Sequence, residues 1–137
     1  MTETLCEIRN FKPEDKSFVC ATFLRGLYYG DSWFSLMPKD LFMLNYKKVI
    51  EALLVSPNVR INIACLKDDK DIILGYSILS KDLSTVHWVF VKSAFRKQGI
   101  MKLLLPQSMS AVTHLTKLGT TLMSKFPNLI FNPFAIN

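Results

Sequence analysis

Cysteine, glycine and histidine are all scarce in this chain of 137 residues, which holds 3, 5 and 2 of them respectively. The cysteines Cys6, Cys20 and Cys65 are odd in number and far apart. They form no Cys-x-x-Cys pair and stand at no metal-binding distance from a histidine, which argues against a disulfide scaffold, a redox motif or a zinc site. They read as core thiols of a protein in a reducing compartment. No apolar run reaches the length that spans a bilayer, and the opening MTETLCEIRNF lacks the basic-then-apolar order of a secretory leader. The expectation is a cytoplasmic protein with no membrane role. A Walker loop, a zinc-binding helix and a nucleophile–base–orienter set are also missing. No internal repeat, linker or low-complexity segment divides the chain, so residues 1–137 are expected to form a single domain.

Acidic residues are the other shortage. Lys and Arg number 17 against 11 Asp and Glu, a formal net charge of +6. Such a balance permits attraction to nucleic acid, anionic lipid or a phosphorylated ligand. The cations are nevertheless scattered from Lys12 to Lys125, and the nearest thing to a cluster is Lys92, Arg96, Lys97 and Lys102. With 50% hydrophobic and 20% charged residues, the composition is that of a folded domain.

Periodicity then orders the chain. Leu5 to Phe11 reads as a strand. Pro13-Glu14-Asp15 suits a helix start, and Phe18, Val19, Thr22, Phe23 and Leu27 recur at helical spacing. Gly30-Asp31-Ser32 interrupts, and a second helix follows Pro38 until Ser56-Pro57-Asn58. From Val59 to Cys65 apolar and polar residues largely alternate, and a polar turn leads to a partner strand over 72–79, a hairpin. Thr85 to Lys92, rich in β-branched and aromatic residues, is the next strand. A helix is expected to begin near Lys97 and to end or kink at Pro106. The tail reads as a strand over 111–116, a helix over 118–125 and a last strand over 129–136. This order implies an α/β (α+β) domain with one mixed sheet covered by helices.

The chemistry-bearing stretch is Val89-Phe90-Val91-Lys92-Ser93-Ala94-Phe95-Arg96-Lys97-Gln98-Gly99-Ile100-Met101. A hydrophobic strand ends, and an Arg-x-x-Gly turn opens an apolar helix. First-turn N–H groups have no intrahelical acceptor and carry the positive end of the helix dipole, which suits a pyrophosphate. Glycine lets a phosphate approach the backbone, and Arg96, Lys97 and Lys102 can add charge-assisted contacts.

The same string resembles the acetyl-coenzyme A signature of the GNAT (N-acetyltransferase) superfamily, hydrophobic-x-Val-x-Pro-x-aromatic-Arg-x-x-Gly-x-Gly/Ala. Val89, Val91, Phe95, Arg96 and Gly99 stand in register with it. The resemblance implies an acyl-CoA N-acyltransferase-like fold, whose mostly antiparallel central sheet splays between its fourth and fifth strands. It implies acetyl-CoA as the acetyl donor and a small-molecule or protein amine as acceptor, attacked directly. Val89, Phe90 and Val91 would then hold the pantetheine arm with their main chain, and the Val89 N–H would stabilise the oxyanion of the tetrahedral intermediate. Amides from Lys97 through Gln98, Gly99, Ile100 and Met101 to Lys102 would hold the pyrophosphate. Two departures stand out. Met101 replaces the small residue of the pattern, and Leu122 and Met123 stand near the place of the tyrosine that often protonates the leaving thiolate.

His87, four residues before Val91, falls by strand alternation on the face of Val89 and Val91, with Thr85 behind it. It is the candidate general base, since imidazole titrates near neutrality, with a histidine bonded inside the sheet as the alternative. His114 is a second candidate. Tyr28, Tyr29, Asp31 and Trp33 lie where the family often builds its acceptor pocket, and the aromatics suit a flat or cationic substrate as well as plain packing. Two further functions share the same residues: a catalytically silent domain of this fold binding a protein or nucleic acid, and acyl transfer to a base or sugar of nucleic acid.

Overall fold

The computed structural model describes residues 6–96, 98–114 and 116–136. Six strands lie in the order β1-β2-β3-β4-β5-β6 within one sheet. They are β1 (Cys6–Asn10), β2 (Val59–Leu66), β3 (Ile73–Ser80), β4 (Thr85–Val91), β5 (Ala111–Val112) and β6 (Ile130–Phe131). The first four pair antiparallel, and β5 and β6 join in parallel. Four α-helices cover the sheet: α1 (Lys16–Gly30), α2 (Lys39–Leu54), α3 (Ile100–Leu104) and α4 (Lys117–Lys125). The sheet is mixed and open, with β4 and β5 splayed.

Strand alternation sends apolar side chains to both faces, so the core is double. On one face Val19, Phe23 and Leu27 of α1 and Phe42 and Ile50 of α2 pack on Ile63, Tyr76, Ile78 and Trp88. The Phe23 and Trp88 rings stack with centroids 4.4 Å apart. On the other face Ile100 and Leu104 of α3 and Leu122 of α4 cover Leu74, Val86, Val89, Val91 and Val112. One buried ion pair, Arg9 with Asp15, ties β1 to the turn before α1 at 2.8 Å. Its bidentate geometry and the Lys12 N–H hold the Asp15 carboxyl below the ordinary carboxylate range, the Arg9 hydrogen bond contributing most.

Three elements are shorter than their sequence patterns. The helix expected from Lys97 starts at Ile100, because Gly99 turns the chain with φ +82°. It stops at Leu104, because Leu105, the residue before Pro106, is extended with φ −102° and ψ 129°. Among the described residues, the strand expected over 111–116 keeps ladder pairing at Ala111 and Val112 alone. The last strand, expected over 129–136, pairs only at Ile130 and Phe131 before a 3₁₀ turn at Pro133–Ile136.

Candidate active-site cleft between β4 and β5

The site begins with a ladder that stops. β4 and β5 pair at Thr85–Ala111 and Val86–Val112, and the Thr113 N–H donates to the Val86 carbonyl at 3.1 Å. Among the described residues, the pairing of β5 with β4 goes no further. On the opposite side of β4, the Lys92 N–H donates to Leu74 at 2.8 Å, and the register pairs Val91 with Gly75, Phe90 with Tyr76 and Val89 with Ser77. Hydrogen-bonded pairs alternate along an antiparallel ladder, so Phe90 and Trp88 bond to β3 while Val89 and Val91 aim their N–H and C=O away from it. The gap therefore receives the main chain of Val89 and Val91. Among these groups the Val91 carbonyl accepts from Arg96 Nε at 3.0 Å, which closes the strand's end.

Gly75 shapes that end. A Cβ there would lie 2.4 Å from the Phe90 carbonyl oxygen and 3.1 Å from the Val91 Cα, so only glycine lets β3 and β4 approach this closely.

The base of the gap is a bulge. Ile78 faces Trp88 and the adjacent Leu79 faces Val86, so His87 has no partner on β3. Such an extra residue bends a strand and re-aims its side chain. The strict alternation expected along β4 consequently breaks at Val86, which joins the apolar cluster of Val89 and Val91 although alternation assigns it to the opposite face. His87 is 3% exposed, and its Nδ1 lies 3.2 Å from Thr113 Oγ1. Burial pushes its pKa below the ordinary histidine value.

His114 reaches β4 with its side chain. Its Nδ1 lies 2.9 Å from the His87 carbonyl oxygen and 2.9 Å from Thr113 Oγ1, and its Nε2 meets the Tyr46 hydroxyl of α2. The ring packs edge-on to Phe23, and that desolvation lowers its pKa from 6.5 to about 4. Burial likewise pushes the Tyr46 phenol up to about 12. Both groups are thus neutral near pH 7. The strands enclose a cleft of about 30 Å³, lined by residues 86–89, Val112, His114, Thr116 and Leu122, with room for a water or two. The sequence pointed to His87 and His114 separately; Thr113 and Tyr46 were missed because each sits in an otherwise apolar pattern.

Beyond the strand, Gly99 has φ +82°, and a Cβ on it would meet nothing within 4 Å. Its left-handed backbone is one that L side chains avoid. The space above the turn is open. Gln98 and Lys102 are exposed, Ile100 is buried, and Met101 is half-buried against the apolar cluster rather than fully exposed over the turn. Lys97 lies outside the described residues. No group of three or more metal-binding side chains occurs among the described residues.

The four acceptor candidates are dispersed. Tyr28 is buried and donates to the Met37 carbonyl at 2.7 Å. Asp31 accepts from the Trp33 and Phe34 N–H groups at 2.8 and 3.3 Å, capping a short turn. Tyr29 lies under Lys39 Nζ, 5.3 Å from the ring centre, and Trp33 is 72% exposed. None of the four lines the cleft.

No protein-family model matches the chain, and no curated protein matches it in sequence. Solved structures match in shape. A possible acetyltransferase of Clostridium difficile 630 superposes with a TM-score of 0.51 at 13% identity, over 93% of this chain and 79% of its own. YjaB of Escherichia coli, in its apo form, gives 0.50 at 17% identity, over 73% of this chain and 61% of its own. AAC(6')-Iy, solved with the bisubstrate analogue CoA-S-monomethyl-acetylneamine, gives 0.48 at 14% identity over 88% and 85%. At such identities the likeness is one of fold alone, an acyl-CoA N-acyltransferase-like mixed sheet flanked by helices.

Proposed function

We propose that this chain is an N-acetyltransferase that takes its acetyl group from acetyl-CoA in the gap between β4 and β5 and passes it to an amine. The observation that carries the reading is the halted ladder: Val89 turns its main chain toward a gap that β5 does not fill. A sheet edge inside a domain is costly to leave unpaired, and an extended amide-bearing ligand can complete it as a strand would. The open turn at Gly99 supplies the second half of the fit, since an atom placed there meets no Cβ and no neighbour.

Acetyl-CoA would supply the activated acetyl group. The Val89 N–H is the donor aimed at the thioester oxygen, where charge develops during transfer. Phe90 and Val91 form the rail beside the pantetheine arm. Amides at Gln98, Gly99, Ile100, Met101 and Lys102 would hold the pyrophosphate, and the exposed Lys102 adds a cation. Arg96 spends its Nε on Val91 and keeps its terminal nitrogens for phosphate. Lys97 belongs to the same proposal. His87 and His114 line the cleft where the acceptor nitrogen would approach. Tyr29, Asp31 and Trp33 lie outside it and are proposed as contacts to the outer part of a cationic acceptor.

A catalytically silent domain of the same fold is the second reading. It is favoured by α3, which is only five residues long, and by the narrow cleft. Thermal denaturation with acetyl-CoA separates the two. A ligand that binds only the folded chain raises its melting temperature, so a dose-dependent rise supports the enzyme. An unmoved transition at millimolar acetyl-CoA rejects it.

A further inference from the structure

The buried polar groups beside the cleft fix one another's protons. A carbonyl oxygen only accepts, so His114 Nδ1, at 2.9 Å from the His87 carbonyl, carries the ring's N–H. A neutral imidazole then has its lone pair at Nε2, and the Tyr46 hydroxyl donates there. Thr113 Oγ1 lies within reach of two ring nitrogens, His114 Nδ1 at 2.9 Å and His87 Nδ1 at 3.2 Å. The first is already a donor. The hydroxyl proton of Thr113, which is 4% exposed, therefore has a single acceptor among its bonded neighbours, the His87 Nδ1 lone pair. A buried hydroxyl that kept its proton unpaired would give up its hydration with nothing in return.

That assignment leaves the His87 proton on Nε2. Among the described residues Nε2 has no hydrogen-bond partner. Among the described residues the fully enclosed side-chain polar atoms lacking one are Ser77 Oγ and Trp88 Nε1, so His87 Nε2 keeps contact with the solvent of the cleft that His87 lines. The bulge falls at His87, where a strand is locally bent, and the ring there meets Thr113.

We infer that His87 is held as its Nε2–H tautomer and presents a hydrogen-bond donor, not a base, to the cleft, with Thr113, His114 and Tyr46 as the positioning residues that set it. Resting on the acetyltransferase reading, the use of that donor follows. It lies on the same cleft wall as Val89 and adds a second hydrogen bond to the thioester oxygen. His87 would form no covalent bond and keep its proton: the amine nitrogen would bond to the thioester carbon, the carbon–sulfur bond would break with CoA leaving as its thiolate, and the proton lost by the amine would pass through water to that thiolate. This reverses the base role that the residue type alone suggests.

Nitrogen-15 NMR of the histidine side chains tests the tautomer on the free protein near pH 7.5. The expected result is an Nε2–H signature for His87 and an Nδ1–H signature for His114. Thr113→Ser should preserve the His87 signature, and Thr113→Val should shift it toward Nδ1–H or a mixture. An Nδ1–H His87 in the unmodified protein overturns the inference, as does a Thr113→Val protein that folds with the tautomer unchanged. Should Thr113→Val fail to fold, Tyr46→Phe decides. It withdraws the donor to His114 Nε2 and is expected to alter the His114 signature, and an unaltered signature counts against the chain of donors.

Kinetics test the use. His87→Ala should lower kcat by about 100-fold, the size of one lost oxyanion donor. His87→Gln, which keeps an N–H at similar reach and cannot take up a proton, should recover at least about tenfold of that. A Gln variant as inactive as the Ala variant would return His87 to the role of base. If acetyl-CoA fails to raise the melting temperature while the tautomer stands, the acetyltransferase reading fails and the assignment of the proton survives.

Discussion

Two residues carry the sharpest expectations. Gly99 is needed for its backbone, because nothing surrounds its Cα that a methyl group would strike. Gly99→Ala should therefore cost only the left-handed strain, about 1–2 kcal/mol, read as a lower urea midpoint. Gly99→Glu adds bulk and negative charge over the turn and should abolish the acetyl-CoA thermal shift. An undiminished shift in the folded Glu variant would locate the diphosphate elsewhere. His114 carries a pH dependence whose sign follows from its burial. Folded, it takes up a proton only near pH 4, whereas an unfolded histidine does so near 6.5. Between those values the unfolded chain binds more protons, so stability is fully present above pH 6.5 and falls as the pH drops toward 4. The loss is on the order of 3 kcal/mol. Urea unfolding at pH 7 and pH 4.5 should show it, and His114→Gln should flatten most of the difference.

At the scale of elements, β4 is the part under tension between two neighbours. On the β3 side Gly75 lets it come close, and Gly75→Ala must push the Phe90 carbonyl from a 2.4 Å approach. The variant should lose about 1–3 kcal/mol or more in chemical denaturation, together with affinity for acetyl-CoA, since Val91 would move. A full-strength cofactor shift in Gly75→Ala would show that the end of β4 does not guide the ligand. On the β5 side the His114 ring bonds to the His87 carbonyl of β4. The short α3 behaves differently. Met101 rests half-buried on the apolar cluster, so Met101→Ala should lower the melting temperature modestly and leave acetyl-CoA binding intact or stronger. Clearly weaker binding would make Met101 part of the pocket.

The whole molecule is a sheet with two apolar faces, and this much was legible in the chain. The alternating 59–65 stretch, the hairpin partner over 72–79 and the helical spacing around Phe23 each correspond to an observed element. Local pattern reports burial, and burial of whole elements is what those segments share. The tail was less legible, because β5 and β6 are two-residue contacts set by distant partners, not by their own propensity. The candidate site divided the same way. Arg96 and Gly99 stand out in sequence as a turn, yet the bond from Arg96 to Val91 and the openness above Gly99 exist only once β4 and α3 are packed.

By itself the sequence determined the layered α/β order, the strand-turn-helix at 89–101 and the presence of two histidines near it, since these rest on spacing along one chain. Tertiary structure alone decided that His87 is the extra residue of a bulge and that the His114 ring bonds across to β4. It also decided that Thr113 and Tyr46 dictate where the protons lie. A bulge is a mismatch between two strands, and a proton's place depends on acceptors from α2, β4 and β5 meeting in a buried space. No single segment encodes such a meeting.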